Sequence, residues 1–349
     1  MNNKFNLLNL DINQLEKIAV DIKLKPFQAK QIYKWLHEKM IRQIDEITNI
    51  SKESRTLLSE IAYIPYIELK KREISKIDRT EKFLFELNDK NTIETVLLRH
   101  KDRNTICVST QAGCPVKCAF CATGQGTFHR NLDLSEILNQ VYIVNRRLSK
   151  ENTNITNIVF MGMGEPLLNI DTLIESINTF SSEDGINISK RKITISTCGI
   201  IPGIERLLEN HLPVELAISL HAADDFKRNG IIPINKTYPI DDLLFSLKNY
   251  QRLTKRRISF EYILIDDFNL FPEDVNNLRT ILKDYDHVLN LIPYNEVEGV
   301  PFKRPPENKI NNFFNSLKRY GINVTLRREK GSDISGACGQ LKEKNRSES

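Results

Sequence analysis

Residues 105–124 read TICVSTQAGCPVKCAFCATG. The first six, Thr105–Thr110, form a β-branched run that predicts a strand. The chain then enters a loop carrying Cys114, Cys118 and Cys121 at C-x3-C-x2-C spacing. Beyond this stretch, strand-like runs at 157–161, 192–197, 214–219, 259–264, 288–292 and 323–327 alternate with helical patterns at 134–148, 171–180, 203–209, 241–253, 273–283 and 307–320. Such alternation predicts βαβ units and a parallel sheet. Pro239, Pro272 and Pro306 stand just ahead of three of the helices, where a missing N–H costs little. Just past the strands come Cys114, the Gly162–Pro166 loop, Ser196 with Thr197, Ser219 with His221, and Asn295. In a parallel barrel such loops share one mouth. A doubly wound open sheet usually carries a G-x-G-x-x-G turn after its first strand, and this chain has none there. The expected fold is therefore α/β, a full or partial TIM-like barrel.

Upstream, residues 1–72 read as a small helical accessory domain, with helices at 14–22, 26–40 and 52–61. Residues 73–99 read as a β-hairpin linker turning at Asn88–Asn91, 100–333 as the core, and 334–349 as a C-terminal loop and polar tail. With 349 residues, 40% of them hydrophobic and 27% charged, the chain is neither fibrous nor wholly disordered. It has no apolar run of about 18 residues and no apolar N-terminal region, so neither a membrane span nor a signal peptide is expected, and a cytoplasmic location is. The net charge of +5 allows contact with a polyanion without naming one. Six cysteines in a long cytosolic chain point to metal or redox chemistry rather than a disulfide scaffold.

Three thiolates within eight residues are soft ligands, suited to zinc or to an iron–sulfur cluster. Structural zinc normally takes four protein ligands, and no second C-x2-C pair lies nearby; a knuckle completed by His129 or a distant Cys is the alternative. A cubane held by three Cys leaves one iron open. With Phe120 preceding the third Cys, the motif resembles that of the radical S-adenosylmethionine (SAM) superfamily. The resemblance implies a partial (β/α)6 barrel, with one 4Fe–4S cluster on Cys114, Cys118 and Cys121. It also implies a SAM molecule on the open iron, cleaved by one electron to methionine and a 5′-deoxyadenosyl radical. Gly164, Glu165, Ser196, Ser219, Leu220, His221 and Asn295 are the implied SAM contacts, Glu165 being suited to the ligand's ammonium and the hydroxyls and amide to its neutral edges.

Narrower matches run from PFQAKQIYKWL (26–36) through IETVLL (93–98), ITNIVFMGMGEPLLN (155–169), KITISTCGIIPGI (192–204), LAISLHAAD (216–224), IPINKTYPID (232–241) and LIPYNEV (291–297) to GACGQL (336–341). These resemble the RlmN-type dual-specificity RNA methyltransferases, with the related Cfr-type adenine C8 enzymes as the alternative. The resemblance implies methylation of adenine C2 in 23S ribosomal RNA, at the peptidyl transferase centre, and in transfer RNA, at the adenosine 3′ of the anticodon. C2 lies between two ring nitrogens and is too electron-poor to attack a methyl sulfonium, so a carbon radical has to be delivered to it. Two SAM per turnover are implied: one methylates Cys338, and the radical from the second removes a hydrogen from that methyl. The product is a covalent RNA adduct that Cys107 resolves by a transient disulfide with Cys338. Glu94 is the implied proton acceptor, and Cys198 is read as structural. Taken without the family, Cys107 reads as a buried strand hydrophobe and Cys338 as an incidental tail thiol.

Basic clusters at 70–72, 99–103, 190–192, 255–257 and 303–304 offer phosphate contacts. A base modified at ring carbon must be looped out or flipped, and the accessory helices are expected to grip the RNA around it. The remaining expectations are a monomer and an electron donor such as flavodoxin or ferredoxin.

Overall fold

A computed structural model describes residues 4–342; residues 343–349 of the expected tail lie outside them. Ten strands hydrogen-bond into one sheet and stand in it in chain order. They are β1 (Glu68–Ile74), β2 (Glu81–Glu86), β3 (Thr92–Arg99), β4 (Asn104–Cys107), β5 (Asn157–Phe160), β6 (Ile193–Thr197), β7 (Glu215–Ser219), β8 (Ile258–Leu264), β9 (His287–Pro293) and β10 (Val324–Leu326). Neighbours are antiparallel from β1 to β4 and parallel from β4 to β10. Helices α1 (Ile12–Asp21), α2 (Pro26–His37) and α3 (Lys52–Ile61) precede the sheet. Each parallel step then passes through a helical crossover: α4 (Leu134–Ser149), α5 (Ile170–Ser181), α6 (Ile201–Glu209), α7 (Asp225–Ile231) with α8 (Ile240–Thr254), α9 (Pro272–Leu282) and α10 (Glu307–Arg319).

Alternation along the strands decides which face does what. On β8, Phe260 and Tyr262 are fully buried, whereas Ser259 and Glu261 line an interior cavity. On β9, Leu289 and Leu291 are buried in the same way, with Asn290 and Ile292 on the cavity side. On β4, Ile106 is buried, and Thr105 and Cys107 face in. Side chains from every strand between β3 and β9 border this one space of about 580 Å³, so the sheet curls around it as a partial barrel. β10 ends the sheet, and residues 327–342 cross the open side as a strap. Lys330 Nζ donates to Arg99 O at 2.9 Å, Gly331 N to Asp78 Oδ2 at 3.0 Å, and Lys342 N to Glu94 Oε2 at 3.1 Å.

All seven expected core strands are present. β4 stops at Cys107 because the chain then bonds to the loop after β5, Thr110 N donating to Met163 O at 2.9 Å. Of the elements named above, β1 and α7 were not expected. β1, ELKKREI, carries charge at five of seven positions, which suits an edge strand guarding against further pairing. It also runs across the expected boundary at residue 72 into the central sheet. α7 is short but capped, Asp224 Oδ1 accepting from Lys227 N at 2.8 Å.

The accessory region is fastened to α4 by polar contacts from the segments flanking its helices and from α2. Asn6 Nδ2 donates to Ser135 Oγ at 3.0 Å, Ser135 N to Asn9 Oδ1 at 2.8 Å, and Asn139 Nδ2 to Pro65 O at 3.1 Å. His37 Nδ1 lies 2.7 Å from Tyr142 Oη, and burial pushes its pKa down to about 3 from 6.5. Between those two values the unfolded chain binds a proton that the folded chain refuses, so stability is lost as pH falls below 6.5. His37→Leu is expected to flatten the dependence of stability on pH between 6.5 and 5 by about 1 kcal/mol per pH unit on average, read from urea titrations. An unchanged slope would show that His37 does not stay neutral in the fold.

Candidate active site

The cysteine loop leaves β4 through Gly113, whose φ of +77° and whose closeness to Thr127 O, 1.9 Å from an added Cβ, admit no other residue. Two walls then fix it. Ala119 N donates to Ile231 O of α7 at 2.9 Å, and Ala122 N donates to Gly339 O of the strap at 2.7 Å. Thr123 Oγ1 adds a bond to Leu341 O at 2.6 Å. Cys114, Cys118 and Cys121 consequently border one cavity of about 160 Å³ with Gly164, Glu165, Ser196, Ser219 and His221. His129 does not border it. Among the described residues no three His, Cys, Asp or Glu side chains converge as ligands of a single ion would. With His129 off the cavity wall, three thiols suit a cubane that leaves one iron open better than a zinc knuckle completed by that histidine.

The opposite wall is built from strand ends. Gly164, at φ +102°, packs so closely that an added Cβ would lie 2.5 Å from the Gln111 side chain. Glu165 is buried, its Oε2 accepting from Cys198 N at 2.9 Å and its Oε1 from Leu167 N at 3.1 Å, and burial pushes its pKa up. Each oxygen keeps acceptor capacity toward the cavity. Ser196 Oγ and Ser219 Oγ face each other at 3.4 Å. His221 accepts from Ile263 N through Nδ1 at 3.1 Å, which leaves its proton on Nε2; burial, then Arg228, hold its pKa near 3. Phe120 stands edge-on to its ring, centroids 4.9 Å apart. Leu220, expected as a SAM contact, is fully buried and off the cavity wall; its amide bonds to Glu261 O and its carbonyl accepts from Arg228. Cys198 is buried beneath Glu165.

The two cavities meet at Cys121, Glu261, Arg327, Cys338 and Gly339. Cys107 and Cys338, far apart in sequence, border the larger one together, both as free thiols. Cys338 is exposed and borders both cavities; desolvation by the surrounding protein raises its pKa and Arg327 opposes the rise. Cys107 is pushed up to about 12, by burial first and then by Cys338. Asn295 donates to Cys338 O at 3.1 Å, while its Oδ1 is buried with no partner among the described residues, an acceptor left for a ligand. Glu94 shares a face of β3 with cavity residues Val96 and Leu98 but lies one step beyond them, bonded to Lys342 N and 3.2 Å from Lys82 Nζ. The expected proton acceptor is thus covered by the strap.

Three charged residues of the site were not anticipated. Glu261 and Arg327 pair across the junction at 3.4 Å. A lone Glu within ISFEYIL was a signal, because a charge inside an apolar strand needs a reason. Arg228 is fully buried; Nε donates to Leu220 O at 3.0 Å, Nη2 to Cys198 O at 2.7 Å and Ser219 O at 3.1 Å, and Nη1 to Asn235. It gathers the ends of β6 and β7 beneath Cys118. Sequence periodicity carries no signal for such a role.

An open barrel whose first loop presents three thiols beside a Gly-rich ligand wall is the architecture of a radical SAM enzyme, and residues 108–278 match the family model for the radical SAM superfamily. Residues 5–64 match the ribosomal RNA large subunit methyltransferase N-terminal domain. The chain is 45% identical to the "probable dual-specificity RNA methyltransferase RlmN" of Thermosipho melanesiensis, over 97% of this chain and 98% of that one. It is 43% identical to the protein of the same description from Syntrophomonas wolfei, over 97% of each. A crystal structure of a radical SAM methyltransferase from Sphaerobacter thermophilus superposes with a TM-score of 0.92 at 37% identity, covering 97% of this chain and 99% of that one. The chain belongs to the RlmN family of radical SAM RNA methyltransferases. Membership brings with it one 4Fe–4S cluster and SAM as cofactors.

Proposed function

We propose that this enzyme methylates C2 of adenosine in 23S rRNA at the peptidyl transferase centre and in tRNA 3′ of the anticodon, with Cys338 as methyl carrier and Cys107 as resolving thiol. The observation that carries the reading is that these two cysteines border one cavity, which opens at Cys338 into the cavity of the three-cysteine loop. Cys114, Cys118 and Cys121 would hold the cluster, and Gly164, Glu165, Ser196, Ser219, His221 and Asn295 would hold SAM. When bound, these cofactors supply a methyl group and, on one-electron reduction, a radical able to abstract hydrogen.

The remaining steps fall to the chain's own side chains. Cys338, at the junction, takes the methyl on sulfur and, once a hydrogen is removed, forms a carbon bond to the base. Glu94 accepts the C2 proton once the strap shifts. The unpaired electron left on the ring would return to the one-electron carrier that began the step, the cluster when bound, so that the ring regains its aromaticity with the base still joined through carbon to the Cys338 sulfur. The Cys107 thiolate then attacks the Cys338 sulfur: an S–S bond forms, the carbon–sulfur bond to the RNA breaks, and its electron pair, with a proton, completes the methyl group. The two thiols are oxidised and a later reductant restores them. The reading also takes the enzyme to act as a cytoplasmic monomer with flavodoxin or ferredoxin as electron donor. No helix among the described residues is long and apolar enough to cross a membrane.

Anaerobic reconstitution is expected to give about four iron per chain, mass spectrometry to find a methyl group on Cys338, and digested product RNA to contain 2-methyladenosine. An unmodified Cys338 in protein made with ample SAM would overturn the reading, and 8-methyladenosine would move it to the Cfr-type chemistry.

A further inference from the structure

We propose that the RNA strand flanking the target base lies in a cationic cleft at the N-terminal ends of the parallel strands, and that the base enters the barrel from that end. The inference rests on the proposed reading that the interior cavity receives an adenine. That cavity runs the length of the barrel: Cys121, Asn295 and Cys338 border one end, and Thr105, Asn157 and Thr194, at the starts of β4, β5 and β6, border the other. Its volume of about 580 Å³ falls in the range of roughly 300–1,000 Å³ usual for pockets that bury a small ligand. Asn157, Thr194, Ser259 and Asn290 line it with neutral donors and acceptors, the chemistry that reads base edges rather than phosphates.

The strap lies across the cysteine end, tied by the bonds of Ala122 to Gly339, Thr123 to Leu341 and Asn295 to Cys338. The other end is rimmed by His100, Arg103, Arg328 and Lys330. It continues into an open cleft that shares His100, Arg103 and Lys330 and adds Arg79, Arg99 and Lys101. Arg99 is committed to Glu81 and Glu151. By contrast, Arg79, Lys101, Arg103 and Arg328 are exposed and form no ion pair among the described residues. Of the acids nearby, Asp78 accepts from Thr80 N and Gly331 N, Glu329 pairs with Arg304 at 2.8 Å, and Asp102 stands exposed on the cleft wall between Lys101 and Arg103, so the cations outnumber the carboxylates there. Uncommitted cations around the rim of a neutral, base-sized cavity fit a single strand whose phosphates stay outside while one base goes in.

The test compares Arg79→Glu/Lys101→Glu/Arg103→Glu enzyme with Lys236→Glu/Lys303→Glu enzyme, the latter reversing two exposed charges on loops at the opposite end. The probe is a stem-loop RNA that the wild type methylates. The cleft variant is expected to raise KM for RNA at least tenfold, with kcat at saturating RNA within twofold. Its salt dependence should flatten, log KM against log salt losing about 0.7 per phosphate contact removed. Iron content and RNA-independent methylation of Cys338 should match wild type in both variants, which shows the barrel intact. An unchanged KM in the cleft variant, or a rise confined to the Lys236/Lys303 variant, overturns the inference. Wild type that methylates no RNA overturns the functional reading instead.

Discussion

Enzyme carrying Cys107→Ala is expected to end its first turnover covalently attached to RNA. Cys107 and Cys338 share the larger cavity, and Cys107 comes from β4, a strand fixed on both sides by β3 and β5. On that support the Cys107 thiol borders the same cavity as the Cys338 sulfur of the strap, the partner the proposed mechanism gives it. On the proposed mechanism, removing it leaves the methyl transfer to Cys338 and the carbon–carbon bond to the base untouched, but takes away the nucleophile that would free the RNA. Most of the protein competent for radical chemistry should therefore migrate with RNA on a denaturing gel, and product release should fall by at least a hundredfold. Cys338→Ala should give neither product nor adduct, and the double variant should behave like Cys338→Ala. Wild-type turnover by Cys107→Ala would show that the adduct is released by another route.

Arg228→Met is expected to destabilise the protein by on the order of 3 kcal/mol, because three carbonyls at the ends of β6 and β7 and the Asn235 amide oxygen lose a buried donor together. Asn235 in turn is bonded to Asp225 at 2.7 Å, so the loss spreads through the α7–α8 connection. Arg228→Lys keeps the charge without the planar fork and should recover only part of the stability. The effect should appear as a lower urea midpoint with unchanged slope, and as weaker retention of iron by the loaded enzyme, since the floor under Cys118 moves. A loss below about 1 kcal/mol would show that water replaces the guanidinium without penalty.

Core topology was legible because α/β alternation is written in periodicity: each expected core strand is found in the sheet, and the helices between them match within a few residues. The cysteine loop was legible because three soft ligands at fixed spacing have few other uses. What stayed hidden depends on contacts between distant segments. β1 is an edge strand whose charges read as a solvated stretch, and only its pairing with β2 makes it a strand. Leu220 sits inside a motif that resembles a ligand-binding one, yet alternation turns its side chain into the core. The covering of Glu94 follows from where the strap crosses β3, its bond to Lys342 joining residues 248 positions apart in the chain. Arg228 serves through carbonyls of three separate residues, and nothing local marks it.

A sheet laid down in chain order gives each βα unit a neighbour already made, so the barrel can grow during synthesis by short-range steps. The strap is the exception, since residues 330–342 dock on β3 and on the turn before β2, the earliest-formed part of the sheet. A nascent chain can thus build nearly the whole scaffold while Cys338 is still in the ribosome's exit path. The thiol proposed to carry the methyl arrives after the walls of the barrel around it are already standing.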